Sequence, residues 1–158
     1  MVVRTTLVAL AAVCSLAASA SRNPATSVTT TPTASRAAQG MKWTATLASV
    51  GTSKVAGTAT FGPGSAAGTS VATISITGGT PGATYPWHVH TGKCGPGGVV
   101  GAGAAYKPLV AGADGTAKGT ATVNVATPTS GDYHVNVHAS PSDMATIVAC
   151  GNLGMAGM

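Results

Sequence analysis

From Met41 onward the chain consists of short runs in which apolar and polar residues alternate, and glycine or proline separates the runs. Alternation with a period of two is typical of a β-strand that buries one face. Turn residues such as Gly62-Pro63-Gly64 and Asp114-Gly115 stand between the runs. The pattern predicts an all-β domain, an antiparallel sandwich or barrel of seven or eight strands with no helix longer than a turn. The predicted strands are 43–47, 55–61, 72–76, 85–91, 117–125, 133–138 and 146–150.

Composition agrees with this fold class and limits the function. There are 22 glycines and no glutamate, and alanine, threonine and valine dominate, so we expect a thin core of small aliphatic side chains. From Met41 onward five lysines oppose three aspartates, which leaves a net charge of +2. These charges form no cluster and no series of stacking aromatic residues accompanies them, so we expect no nucleic-acid partner. The charge supports only a weak attraction for small anions.

The first forty residues predict export and a spacer. Residues 1–20 combine a short basic start, an apolar stretch too short to span a bilayer, and the cleavage pattern Ala18-Ser19-Ala20. Cys14 leaves open a lipid anchor after a lipoprotein-type signal. Residues 21–40 are rich in Ser, Thr, Pro and Ala, which predicts a flexible linker. The folded domain is predicted over 41–158, in the periplasm, the cell envelope or outside the cell.

All four histidines lie in two of the predicted strands. If Trp87 and Val89 face the core, His88 and His90 share the opposite face, and their ring nitrogens can converge on one ion. The second stretch, 133–138, places His134, Asn136 and His138 on its polar face. No Ser/His/acid set and no paired carboxylates are present, so hydrolase chemistry has no support. A metal site is the functional prediction.

The two cysteines of the predicted domain, Cys94 and Cys150, are an even number in an exported chain, which predicts one disulfide. The loop that it would close stabilises a fold by about 4 kcal/mol in the chain-entropy treatment. The alternative is that both are thiolate ligands, which beside histidine would suit Cu(I) or zinc.

Several segments, taken in order, resemble the Cu/Zn superoxide dismutase family. The similarity covers most of 43–154, and the matching segments are Val55-Ala56-Gly57, Ile74-Ser75-Ile76-Thr77-Gly78, Trp87-His88-Val89-His90, Ala113-Asp114-Gly115-Thr116-Ala117, Val137-His138 and Ala149-Cys150-Gly151. The resemblance implies a Greek-key, immunoglobulin-like β-barrel with copper on its outer face. It implies that His88, His90 and His138 are the copper ligands and that Cys94–Cys150 is the family disulfide.

The chain also departs from that family. The histidine that bridges copper and zinc falls at Ala105, and the loop with the other zinc ligands is nearly absent between Leu109 and Asp114. We therefore expect copper as the cofactor and no zinc site. The arginine that guides superoxide falls at Ile147, so the resemblance implies reduced dismutase activity. Lys93 and Lys107 are candidates for a weak substitute, although solvated surface lysine is the simpler interpretation.

Two residues of the second histidine stretch have less certain roles. His134 and His138 are four residues apart, which is roughly 13 Å in an extended strand, too far for both to bind one ion without a bend. His134 could lie at the rim or act as a substitute ligand, but a solvated surface histidine is the simpler expectation. Asn136 could orient a ligand.

The pairing of His-Val-His with Tyr133-His134-Val135-Asn136-Val137-His138 also resembles the chordin-type (CHRD) domain, an extracellular β module. Three hypotheses follow. The first is a copper-binding, dismutase-like protein that reacts with superoxide through Cu(II)/Cu(I) cycling. The second is a non-enzymatic copper carrier or buffer with the same ligands, and the third is a metal-free structural module. Zinc is the next candidate metal, because three histidines and water also form catalytic zinc sites.

Overall fold

The computed structural model describes residues 41–156. The predicted signal peptide, the linker and Cys14 lie outside the described residues. Within them the protein is all-β, as the alternation predicts, and its one helical element is a short 3₁₀ turn, Gly103–Ala105. The strands are β1 (Trp43–Ser49), β2 (Ala56–Pro63), β3 (Ser70–Thr77), β4 (Thr84–Tyr85), β5 (Trp87–Thr91), β6 (Leu109–Val110), β7 (Ala117–Val123), β8 (Tyr133–Ser140) and β9 (Asp143–Met155).

Seven strands form one antiparallel sheet in the order β5-β8-β9-β1-β2-β3-β7, and β4 pairs with β6 in a small second sheet. The large sheet curls at β9. On one side β9 pairs with β8 from Asp143 to Leu153, and on the other side it pairs with β1 at Ser49↔Ala149, Ala48↔Cys150 and Thr44↔Gly154. Because one long strand serves both halves, the sheet folds over its own apolar face and forms a half-barrel.

The core fills the inside of this curl. Trp87, Phe61, Leu47, Ile76 and Leu109 are its largest fully buried side chains. Small residues complete it, as the composition predicts: alanines at 45, 59, 72, 117, 121 and 149 are all buried. Large side chains are therefore few, and each supports a large part of the interior.

The fourth and the last predicted strands differ most from the prediction, and the short β6 was not predicted. Residues 85–91 form two strands, because Pro86 has no N–H for a sheet ladder and separates β4 from β5. The last strand runs on past the predicted end at 150 to Met155, because residues 151–153 pair with β8 and residues 154–155 pair with β1. No helix in residues 41–156 has the length and apolar character needed to cross a membrane.

Candidate metal centre

The first two histidines follow from strand alternation. On β5, Trp87 and Val89 are fully buried in the core, so His88 and His90 point to the other face of the sheet. Their neighbours on β8 lie directly across: His88 pairs with Asn136 and His90 with His134. The two strands therefore place four polar side chains on one outer patch.

The third histidine comes from β8, one residue beyond the last β5–β8 pair. The His138 amide donates to the Pro86 carbonyl at 2.8 Å, which continues the Trp87↔Val137 register by one pair, while on the other side of β8 the register with β9 shifts between Val137 and His138. The His138 ring then lies beside His88, with His88 Nδ1 and His138 Nε2 3.4 Å apart. Pro86 thus both ends β4 and accepts the hydrogen bond that anchors His138.

The three predicted ligands converge. Each of His88, His90 and His138 offers one ring nitrogen, and these atoms all lie within 4.8 Å of one another. Two nitrogens bound to one ion at about 2.0 Å stand roughly 3.3–3.5 Å apart in tetrahedral or trigonal geometry, so the His88–His138 pair already has the required spacing. A pair at the 4.8 Å limit must approach by roughly 1.3–1.5 Å to reach the same spacing. These histidines could hold a metal ion.

Buried polar atoms that lack a hydrogen-bond partner also support a metal site. Within residues 41–156, three buried side-chain polar atoms have no hydrogen-bond partner: His90 Nε2, His138 Nδ1 and Asn136 Oδ1. An unsatisfied buried polar atom costs about 1–3 kcal/mol. His90 Nδ1 already contacts the Gly97 carbonyl oxygen at 2.9 Å, so it is the N–H donor and Nε2 presents its lone pair. Coordination of an ion by Nε2 would remove one of these costs.

The environment keeps all three rings uncharged near neutral pH. Burial, followed by the charges of His138 and His90, lowers the pKa of His88 to about 4. Burial is also the main cause that lowers the pKa of His90, against the Gly97 hydrogen bond. Burial and His90 lower the pKa of His138, while the Met144 carbonyl and Asp143 oppose that shift. Neutral imidazole is the form that binds a metal.

His134 is where sequence reasoning was wrong. It is not a solvated surface residue, because its exposed fraction is 0 %. Its Nδ1 lies 2.9 Å from the Gly92 carbonyl oxygen, and its Nε2 lies 3.0 Å from that of Gly95. Its ring stacks on His90, with centroids 5.2 Å apart and an interplanar angle of 15°. Asn136, also buried, donates from Nδ2 to the same Gly95 oxygen at 3.0 Å.

A loop covers this side of the patch. We call residues 92–98 the strap; it leaves β5, passes over His90 and His134, and supplies the carbonyl groups named above. Gly92 and Gly95 have φ angles of +89° and +139°, which favour glycine and let the strap turn back. The glycine-rich sequence after His90 is the signal that a loop could pack closely over the histidines. Strand alternation alone could not reveal that this loop covers them.

The cysteines tie the strap to β9. The sulfur atoms of Cys94 and Cys150 lie 2.04 Å apart, at disulfide distance, and the Cys94 amide donates to Asn152 Oδ1 at 2.7 Å. Bonded sulfurs offer no thiolate, so the alternative of cysteine ligands is wrong for this structure. A cysteine pair at disulfide distance is consistent with an exported protein.

The positions that differ from the dismutase pattern lie around the same patch. Ala105 belongs to the 3₁₀ turn, and Ile147 pairs with His138 across the β8–β9 ladder. Lys93 and Lys107 are exposed, and neither contributes to the pKa shifts of the three rings. Asp143 is the charged side chain that acts on His138.

A scan against protein-family models finds no match for this chain. No curated protein matches the sequence at a significant level.

Proposed function

We propose that this chain is an exported copper protein of the Cu/Zn superoxide dismutase-like type, in which His88, His90 and His138 hold the metal. One observation carries the proposal. Three imidazoles from two neighbouring strands bring ligand atoms within 4.8 Å of one another, and the buried Nε2 of His90 has no other partner.

The strand order supports the family assignment. In the large sheet the last strand, β9, lies beside β1, and β1, β2 and β3 follow in sequence, so the first and last strands of the domain pair with each other. The cysteine pair joins the loop after the His-Val-His strand to the last strand, as the resemblance implies. The proposed domain is therefore a Greek-key barrel that lacks the zinc loop.

The donor set favours copper. Imidazole is a borderline ligand and Cu(II) stands at the top of the affinity order for such sites. Zinc is the next candidate, with water as a fourth ligand. A second, zinc-specific site is not proposed, because alanine occupies position 105 and only a short connection links Leu109 to Asp114.

The proposed reaction is dismutation of superoxide, in which two superoxide anions and two protons give dioxygen and hydrogen peroxide. Copper held at the site would supply one-electron cycling between Cu(II) and Cu(I). His88 is only half-buried, so it leaves the patch open to a small anion on its side. Ala105 offers no proton and Ile147 no charge, so protons come from solvent and anions are not guided. Turnover well below that of the family is expected.

A second candidate is a copper carrier or buffer. The observation in its favour is that the charge acting on His138 belongs to Asp143, an anion that attracts copper ions and repels superoxide. Met144, next to it, has an exposed side chain and a soft thioether sulfur. The same three ligands would then bind copper without turnover.

Metal analysis and electron spin resonance of the exported protein test both proposals. We expect one copper per chain and nitrogen hyperfine structure from imidazoles, both lost in His90→Ala and kept in the surface control Thr120→Ala. Copper uptake without superoxide turnover would select the carrier. Absence of stoichiometric copper or zinc after reconstitution would overturn the metal site and leave the CHRD-type structural module.

A further inference from the structure

His134 and Asn136 are buried polar residues that the three-ligand site does not use. Their exposed fractions are 0 % and 1 %, and burying polar side chains this fully is costly unless their hydrogen bonds are made. Their donors all go to main-chain oxygens of the strap, residues 92–98. Two side chains of β8 therefore contact the strap, the loop that directly follows the other histidine strand, β5.

The strap decides which nitrogen of His90 faces the metal site. His90 Nδ1 donates to the Gly97 oxygen, so the lone pair is on Nε2. If that oxygen moved away, His90 would lose the contact that fixes both its tautomer and its ring angle. Such partners of metal-binding histidines typically alter metal affinity by about 10–100-fold. The position of Gly97 therefore matters for any ion bound at the site.

The ends of the strap are held by main-chain bonds, but its middle is not. The Gly92 amide donates to the Asp132 oxygen, and the Thr91 amide donates to the Gly98 oxygen. Between these bonds, His134 and Asn136 both contact the Gly95 oxygen, and Cys94 is tied to β9. Both ring nitrogens of His134 lie within hydrogen-bond distance of strap oxygens, and Asn136 donates to the Gly95 oxygen as well.

We propose that His134, with Asn136, is a positioning residue for His90. Its contacts with the Gly92 and Gly95 oxygens hold the strap in the position that places the Gly97 oxygen beside His90 Nδ1. Its ring also stacks on the His90 ring and limits the tilt of that ring. His134 binds no metal itself, because both of its nitrogens face carbonyl oxygens. The inference rests on the proposed metal site for its purpose, but the His90 tautomer is measurable without metal.

The main test compares His134→Ala with Ser70→Ala in metal-free protein labelled with ¹⁵N at histidine. Ser70 is a matched control because it is also a fully buried polar residue, and it lies on β3, which does not border the histidine strands. Its hydroxyl donates to the Val125 oxygen and contacts the Thr127 hydroxyl. Wild type and Ser70→Ala should show one His90 form, protonated at Nδ1. His134→Ala should show a mixture of both tautomers.

The copper-loaded proteins provide the second readout. We expect Cu(II) affinity about tenfold or more weaker in His134→Ala, with broadened imidazole hyperfine lines, and wild-type values in Ser70→Ala. His134→Gln, which keeps one amide donor, should recover part of both signals. If His134→Ala does not fold, Asn136→Ala takes its place, because it removes a donor to Gly95 and leaves the ring stack.

An unchanged His90 tautomer and unchanged copper affinity in these variants would overturn the positioning role. That failure is distinct from failure of the proposed function. Wild-type protein that takes up no copper would refute the metal site, whereas the nitrogen spectra would still report whether His134 fixes His90.

Discussion

His90 Nδ1 lies 2.9 Å from the carbonyl oxygen of Gly97, and the strap that carries this oxygen leaves no space for a side chain there. A Cβ atom at Gly97 would collide with the Thr91 carbonyl oxygen and lie 3.1 Å from His134 Cε1. At the next residue, Gly98, the nearest atom to such a Cβ is Thr91 Oγ1 at 3.5 Å, an ordinary contact. Two adjacent glycines thus differ sharply in what they tolerate.

Gly97→Ala should therefore weaken copper binding, and Gly98→Ala should not. The added methyl at 97 displaces the strap and the oxygen that orients His90, so we expect about tenfold weaker Cu(II) affinity in a competition titration. Neither glycine has a positive φ, so backbone strain does not distinguish the two variants. Equal affinities in the two variants would show that the Gly97 contact does not control the site.

The face shared by His88 and His90 could be predicted from the sequence because alternation in a strand fixes it. Trp87 and Val89 are buried as expected, and their neighbours point outward. Alternation also placed His138 on the polar face of its strand, together with His134 and Asn136, but it could not show which of these side chains lies beside His88. The resemblance to a family supplied that residue, and the structure brings it to the other two.

The burial of His134 was missed for a different reason. Alternation assigned it to the outer face, and that assignment is right, because it pairs with His90 on the same patch. What alternation cannot show is that the strap, which lies some forty residues earlier in the chain, covers part of that face. The long-range contacts from His134 to the carbonyl groups of Gly92 and Gly95 depend on tertiary structure.

Acid should destabilise the metal-free protein through the three histidines. Their pKa values are lowered in the folded state, chiefly by burial, with that of His88 near 4 against 6.5 for an ordinary histidine. The unfolded chain therefore binds more protons below pH 6.5, so stability is complete above that pH and is lost as the pH falls toward 4. Asp143 opposes the shift at His138 only.

Melting temperatures of chelator-treated protein between pH 8 and pH 4 test this. The melting temperature of the wild type should stay constant down to about pH 6.5, the ordinary histidine pKa, and then fall. That of His88→Asn should fall less steeply, because the substitution removes the imidazole whose pKa burial lowers to about 4. A wild-type melting temperature that stays constant to pH 4 would contradict the burial of neutral rings.

Removal of the disulfide should cost a large part of the stability. The bond closes a loop with a sequence separation of 56, and loop-closure entropy gives about 4 kcal/mol for a loop of this length. Domains of this kind have only about 5–15 kcal/mol in total. Urea denaturation of the Cys94→Ser/Cys150→Ser double variant should show this loss. Stability within about 1 kcal/mol of wild type would indicate that the unfolded chain is not restrained by this loop.

Gly151→Ala should destabilise the fold, and Gly154→Ala on the same strand should not. Gly151 pairs with Val135 of β8 and lies between the two stretches of β9 that pair with β1, and a Cβ there would collide with the Thr46 carbonyl oxygen and lie 2.8 Å from Leu47 Cδ2. Because a backbone oxygen cannot rotate away, we expect a loss of about 1–3 kcal/mol. A Cβ at Gly154 meets no atom within 4 Å, so its substitution should change stability by about 0.5 kcal/mol or less. Urea denaturation of both variants measures the difference, and similar stabilities would mean that β9 and β1 are not closely packed where the sheet curls.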